Sequence, residues 1–207
     1  KRLIQAIEEL KAEGFSAFGY PFDITDKDQI VKQMKKIQDE IGLINILVNN
    51  AGIQIRKPLE DFEESAWREI IDTNLTGAFL VSQQVARSMI QQRSGKIINI
   101  CSLQSELGRE TIAPYAAAKG GLKMLTRAMA VEWAKYNIQA NGIGPGYFIT
   151  EMTRPLSENR EFDQWLKKRT PAHRWGYPEE LIGPIVFLSS SASDFINGQI
   201  IYVDGGI

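Results

Sequence analysis

The segment Ile44-Asn45-Ile46-Leu47-Val48-Asn49-Asn50-Ala51-Gly52 joins a short apolar run to an abrupt turn of small residues. A run of this length, rich in Ile and Val, predicts a strand buried on both faces of a parallel sheet. The Asn-Ala-Gly turn behind it lets a ligand approach the backbone closely. Helical periodicity flanks the strand on both sides. Upstream, Ile30, Val31, Met34, Ile37 and Ile41 mark one face of a helix opened by Thr25 or Asp26 and closed by Gly42. Downstream, Trp67, Ile70, Ile71, Leu75, Phe79 and Val81 mark a long helical region.

The alternation extends to both ends. Leu3, Ile4, Ile7 and Leu10 predict a helix that Gly14 closes, and Phe15–Phe22 reads as a strand. Strand Lys96–Cys101, helix Ala113–Tyr136, strand Ile138–Ile143, helix Pro178–Ser190 and strand Gln199–Val203 follow. An irregular, lid-like stretch occupies 150–177. Strands and helices in strict alternation predict a doubly wound, Rossmann-like parallel α/β sheet, and residues 1–207 read as one domain. Ligands of such sheets bind at the carboxyl ends of the strands, here just after Phe22, Val48, Cys101 and Ile143.

Composition narrows the function. The 207 residues are 43% hydrophobic and 24% charged with a net charge of −1, which leaves no electrostatic footprint for nucleic acid or anionic membrane. No apolar run is long enough to span a bilayer, and the chain opens on a charged, amphipathic helix rather than an apolar leader. The single cysteine, Cys101, excludes an internal disulfide, and a cytoplasmic location is the expectation. His173 is the only histidine, has no carboxylate cluster beside it and reads as a loop residue, so no metal is expected.

The strand ends carry chemistry. Tyr115 and Lys119 are four apart and share a helix face. A phenol titrates near ~10 and is a poor base at neutral pH, whereas a neighbouring ammonium favours the phenolate. The pair makes sense as an acid/base couple. Ser102, at a strand's carboxyl end, is placed to hydrogen-bond a substrate oxygen. Each of these features is common by itself; what points to a site is their occurrence in order, each at a strand end.

In that order the residues resemble the short-chain dehydrogenase/reductase family along the whole chain. The resemblance rests on Asn49–Gly52, Asn74, Ser102, Tyr115-x-x-x-Lys119 and Pro145-Gly146, with family-like separations from Asn74 to Ser102 and from Ser102 to Tyr115. It implies an oxidoreductase that moves a hydride between NADP or NAD and a carbonyl or alcohol. Tyr115 is then the general acid/base, Lys119 lowers its pKa and holds the nicotinamide ribose, and Ser102 orients the substrate oxygen. Asn74 anchors a proton-relay water, Asp23 and Ile24 flank the adenine, and Asn50 with Gly52 line the adenosine ribose side. Phe148 and Thr150 contact the nicotinamide end. A homotetramer is also implied, paired through the long helices, with Ala116, Leu122, Met129 and Trp133 supplying apolar surface beyond one buried face.

The family's Gly-x-x-x-Gly-x-Gly phosphate motif does not occur in the sequence. By the resemblance, two strands and the phosphate-binding loop belong before Lys1, and their lack leaves the sheet with a hole and open apolar edges.

Segments Ile100–Arg109, Asn141–Tyr147 and Arg169–Gly176 resemble the family's sugar-acid branch, which interconverts gluconate and 5-ketogluconate. The last two are shared in part with enzymes of 2-dehydro-3-deoxy-gluconate. A polyhydroxy acid needs hydrogen-bonding groups and a cation, and Gln104, Ser105, Glu106 and Arg109 follow Ser102 while Arg56 follows the Asn-Ala-Gly turn. Ser102, Gln104, Arg56, Arg109 and Tyr115 are the expected substrate residues, with Glu106–Arg109 pairing as the bland alternative. A 3-oxoacyl carrier-protein reductase is the rival enzyme and calls for a basic patch at the site mouth; none is evident. A non-catalytic nucleotide-binding regulator on this fold typically loses the Tyr or the Lys, and both are present.

Overall fold

The computed structural model describes residues 2–207. Helices α1 (Arg2–Ala12) and α2 (Lys27–Glu40) precede strand β1 (Ile46–Asn49). Helix α3 (Glu64–Ile71) passes through a π-helical turn at Asp72–Thr76 into α4 (Gly77–Gln92), then strand β2 (Gly95–Ile100). Helix α5 (Ala113–Trp133) and strand β3 (Ile138–Pro145) follow. Short helices α6 (Arg154–Ser157) and α7 (Arg160–Arg169) lead to α8 (Ile182–Ser189) and strand β4 (Ile200–Val203). The four strands form one parallel sheet in the order β1-β2-β3-β4.

Helices cover both faces, as parallel strands require. On one side Ile30, Met34, Val85, Met89 and Met129 pack on Ile97, Ile138 and Ala140; on the other Leu188 packs on Ile98 and Ile143. A buried polar chain runs through the first layer. Asn49 Nδ2 donates to Ser82 Oγ and to Asn99 Oδ1, each at 2.8 Å, and Asn99 Nδ2 donates to Thr126 Oγ1 at 2.8 Å. Because each buried polar atom needs its partner, this chain fixes β1, β2, α4 and α5 in mutual register. A Cβ on Gly144 would lie 2.4 Å from the Tyr202 ring, so β4 closes on β3 only because that position has no side chain.

Three expectations are corrected. Phe15–Phe22 pairs with no strand among the described residues and so stands outside the four-stranded sheet. An apolar cleft of about 310 Å³ separates its end, at Phe22 and Ile24, from the free edge of β1. The 150–177 region is less irregular than its sequence suggests, since it contains α6 and α7. On α5, Leu122 and Met129 face the core and Trp133 packs against it, while the large apolar residues left exposed are Met124 and Val131. Helical periodicity gives the width of an apolar stripe, but the sheet decides which part it covers.

Candidate active site

The carboxyl ends of β1, β2 and β3 converge on one cleft of about 360 Å³, with Asn50, Gly52, Ser102, Tyr115, Lys119 and Thr150 among its walls. Phe148 also lines it and is buried. Asp26, not Thr25, caps α2, and that choice leaves Asp23 free to accept from both the N–H and the hydroxyl of Thr25, at 2.8 and 2.7 Å. These bonds hold the Asp23 carboxyl below its usual range. Asp23 is not among the cleft's walls. Ile24 lines the neighbouring apolar cleft, which shares Asn50 with this one.

Asn74 is buried within the π turn, a distortion that recurs at functional positions. Its Oδ1 accepts from Ile53 N–H and its Nδ2 donates to Ile53 O, both at 2.8 Å. The side chain thereby clamps the Asn50–Ile53 turn. A Cβ on Gly52 would fall 3.4 Å from Asn74 Oδ1 and 3.8 Å from Lys119 Nζ, so the glycine keeps the backbone open towards both.

Ser102 opens a short 3₁₀ turn: its Oγ accepts from Gln104 N–H at 3.1 Å, and its own N–H donates to Ser105 Oγ at 3.2 Å. Pro114 in the first turn of α5 starts the helix that carries Tyr115 and Lys119. Lys119 is buried; its Nζ donates to Ile100 O at 2.6 Å and lies 5.8 Å from the centre of the Tyr115 ring. Burial pushes its ammonium down to about 8.

Burial also raises the Tyr115 phenol above its ordinary value, against a lowering by its hydrogen bond with Ser102 and by the positive charge of Arg56. The lowering expected from Lys119 is thus supplied here by Ser102 and Arg56. The Cys101 thiol beside them is raised to about 11 by burial, so it stays protonated.

A smaller cavity of about 70 Å³ opens off the cleft and shares Ser102, Tyr115, Gly146, Met152 and Thr153 with it. Its own walls include Gln54, Arg56, Gln104, Arg109 and Tyr147. Among the described residues neither arginine is paired with a carboxylate. Arg56 is lowered from its usual value by burial and by the charge of Arg109. Arg109 rests on the Phe162 ring, 4.8 Å from its centre, and its Nη1 donates to Tyr147 OH at 3.4 Å. Tyr147, Phe162, Trp165 and Trp175 form one aromatic cluster, tied down by Trp175 Nε1 donating to Asp163 Oδ1 at 2.8 Å.

Glu106 does not pair with Arg109. Its Oε1 accepts from Tyr202 OH at 2.8 Å and from Lys123 Nζ, which ties the loop after Ser102 to β4 and α5. Nothing in the spacing of Glu106, Lys123 and Tyr202 announces this node, since it joins three separate elements. His173 sits on the loop after α7, its Nδ1 at 2.9 Å from Lys167 O.

The family model described as enoyl-(acyl carrier protein) reductase matches residues 1–207. The chain belongs to the short-chain dehydrogenase/reductase family. As a short-chain dehydrogenase/reductase it is an NAD(P)-dependent oxidoreductase of CH–OH groups. It is 57% identical over 202 residues to 5-keto-D-gluconate 5-reductase of Escherichia coli (strain K12), covering 98% of this chain and 80% of that protein. It is 51% identical over 207 residues to 2-dehydro-3-deoxy-D-gluconate 5-dehydrogenase of Formosa agariphila, covering 100% of this chain and 78% of that one. The crystal structure of a gluconate 5-dehydrogenase from Burkholderia cenocepacia, in complex with NADP and tartrate, superposes with a TM-score of 0.95. That pair is 52% identical and covers 97% of this chain and 79% of the other.

The Arg56–Tyr115 coupling has a readable consequence. Arg56→Gln removes a cation that favours the phenolate, so the Tyr115 pKa rises further. Alcohol oxidation needs the phenolate, and its pH–rate curve is expected to move to higher pH in Arg56→Gln and to stay in place in Arg109→Gln. An unmoved curve in Arg56→Gln refutes the coupling.

Proposed function

We propose that this enzyme interconverts a secondary alcohol of a sugar acid and the corresponding ketone, with gluconate and 5-ketogluconate as its pair. The observation that carries this reading is the cavity beside Ser102 and Tyr115, lined by two arginines that have no carboxylate partner among the described residues. Two half-buried cations on one cavity, each raising the cost of the other's charge, are a preformed seat for an anion. The names of the gluconate-related relatives support the same choice.

Tyr115 exchanges the proton at the reacting oxygen, and Ser102 holds that oxygen by a hydrogen bond. The upward position of the phenol keeps it protonated at neutral pH, the form that ketone reduction consumes. In oxidation the phenolate takes the hydroxyl proton, so the rate rises with pH. A nicotinamide dinucleotide, NADP or NAD, accepts or supplies the hydride. Lys119, Phe148 and Thr150 hold its nicotinamide end and Asn50 with Gly52 line the adenosine ribose side, all five being walls of the one cleft. Asn74 steadies the turn that carries Asn50 and Gly52 and anchors the relay water. Asp23 and Ile24 serve the adenine side. The 150–177 region acts as the lid.

The assembly is a cytoplasmic homotetramer paired through α3, α4 and α5, on which Trp67, Phe79, Met124 and Val131 stand exposed, Val131 at 82%. No helix among the described residues is long and apolar enough to cross a membrane.

Tyr115→Phe keeps the ring and removes the proton; turnover should vanish while nucleotide affinity changes no more than a few-fold, as measured by fluorescence titration. Near-normal turnover contradicts the assignment. Replacing Arg56 or Arg109 by Met should cost ~1.5–3 kcal/mol, roughly tenfold to a hundredfold in kcat/KM, on sugar acids. A neutral polyol of similar shape should be spared. Equal losses on acid and polyol indicate arginines that only hold the structure.

A further inference from the structure

We infer that Gln104 reads a substrate hydroxyl close to the reacting carbon, and so separates fully hydroxylated sugar acids from their deoxy counterparts. The inference rests on the sugar-acid reading above and adds to it a residue that sets specificity.

Gln104 Oε1 and Arg56 Nε are both buried and have no hydrogen-bond partner in the protein. Among the described residues they are the two such side-chain atoms that belong to residues lining the cavity off the active-site cleft. A buried polar atom without a partner is costly, and a ligand that satisfies it recovers that cost on binding. Arg56 Nε is a donor and calls for an acceptor, which a carboxylate or hydroxyl oxygen supplies. Gln104 presents an amide. A hydroxyl both donates and accepts, so it satisfies that amide in either orientation, whereas a carboxylate or a methylene does not satisfy its carbonyl.

Position follows from the main chain. Gln104 N–H holds Ser102 Oγ at 3.1 Å, and Ser102 and Tyr115 line the same cavity. The backbone of Gln104 steadies the serine through that bond, and its side chain borders the cavity that Arg56, Arg109 and Tyr115 also line. A hydroxyl on the substrate chain between the reacting carbon and the carboxylate meets both demands. A site built to bond a hydroxyl rejects an analogue without it strongly, because the amide is then left unpaired.

The test uses the holoenzyme with gluconate, a series of gluconates each lacking one hydroxyl, and neutral polyols with and without the matching hydroxyl. Gln104→Met should lower kcat/KM at least tenfold for gluconate and less than twofold for one of the deoxy analogues, with thermal stability unchanged. Gln104→Glu keeps an acceptor and adds a negative charge beside Arg56; it should lose sugar acids and retain neutral polyols. If Gln104→Met lowers kcat/KM by the same factor for gluconate and every deoxy analogue, or lowers none, the inference is overturned. If wild-type enzyme turns over polyols and no acid, the sugar-acid reading fails. The hydroxyl-reading role then stands or falls by whether Gln104→Met erases the preference among polyols.

Discussion

The site depends on one buried hydrogen bond, from the Lys119 ammonium to the carbonyl of Ile100 at the end of β2. A cation in the interior is costly to keep charged, and its descent to about 8 measures that cost. Yet the bond crosses from helix α5 to the sheet at the residue two before Ser102. Because Tyr115 lies one helical turn before Lys119, anchoring the lysine sets the phenol against the serine. Asn49, Asn99 and Thr126 support this arrangement from below by holding β1, β2 and α5 in register. Fold and chemistry therefore share one set of buried polar contacts.

Around this centre the charges are handled unequally. Lys123 and Glu106 neutralise each other and pin the loop after Ser102. Arg56 and Arg109 have no carboxylate partner among the described residues, and Arg109 is held instead by the Phe162 ring and the Tyr147 hydroxyl. An aromatic ring fixes a guanidinium without cancelling its charge. That keeps the cavity positive beside the reacting atoms, and it makes Tyr115 sensitive to Arg56. Phe162, Trp165 and Trp175 of that cluster come from the 150–177 segment, which also supplies Met152, Thr153 and Leu156 to the cavity walls.

Much of this was legible in the sequence. Ser102, Tyr115 and Lys119 line one cleft, since a strand end and one helix face convert sequence distance into position, whereas Asn74, named only through the resemblance, sits behind it in the π turn. The four sheet strands and their parallel sense follow from the alternation of periods, whereas their order in the sheet does not. Phe15–Phe22 has the composition of a strand and pairs with none among the described residues. Pairing of Glu106 with Arg109, three residues away, was the alternative to a substrate-facing role, and its partners are instead 17 and 96 residues distant. Electrostatic relations of this kind depend on which elements meet, and so the influence of Arg56 on Tyr115 and the aromatic seat of Arg109 are visible only in the folded chain.

The central claim is that a protonated Tyr115 and an unpaired arginine pair act together on a sugar-acid ketone. The most direct measurement is NMR identification of the product formed at neutral pH from 5-ketogluconate and reduced nicotinamide dinucleotide. The account predicts gluconate, with no comparable turnover of a neutral ketose. Reduction of the neutral ketose at the same rate, or an untouched 5-ketogluconate, contradicts it.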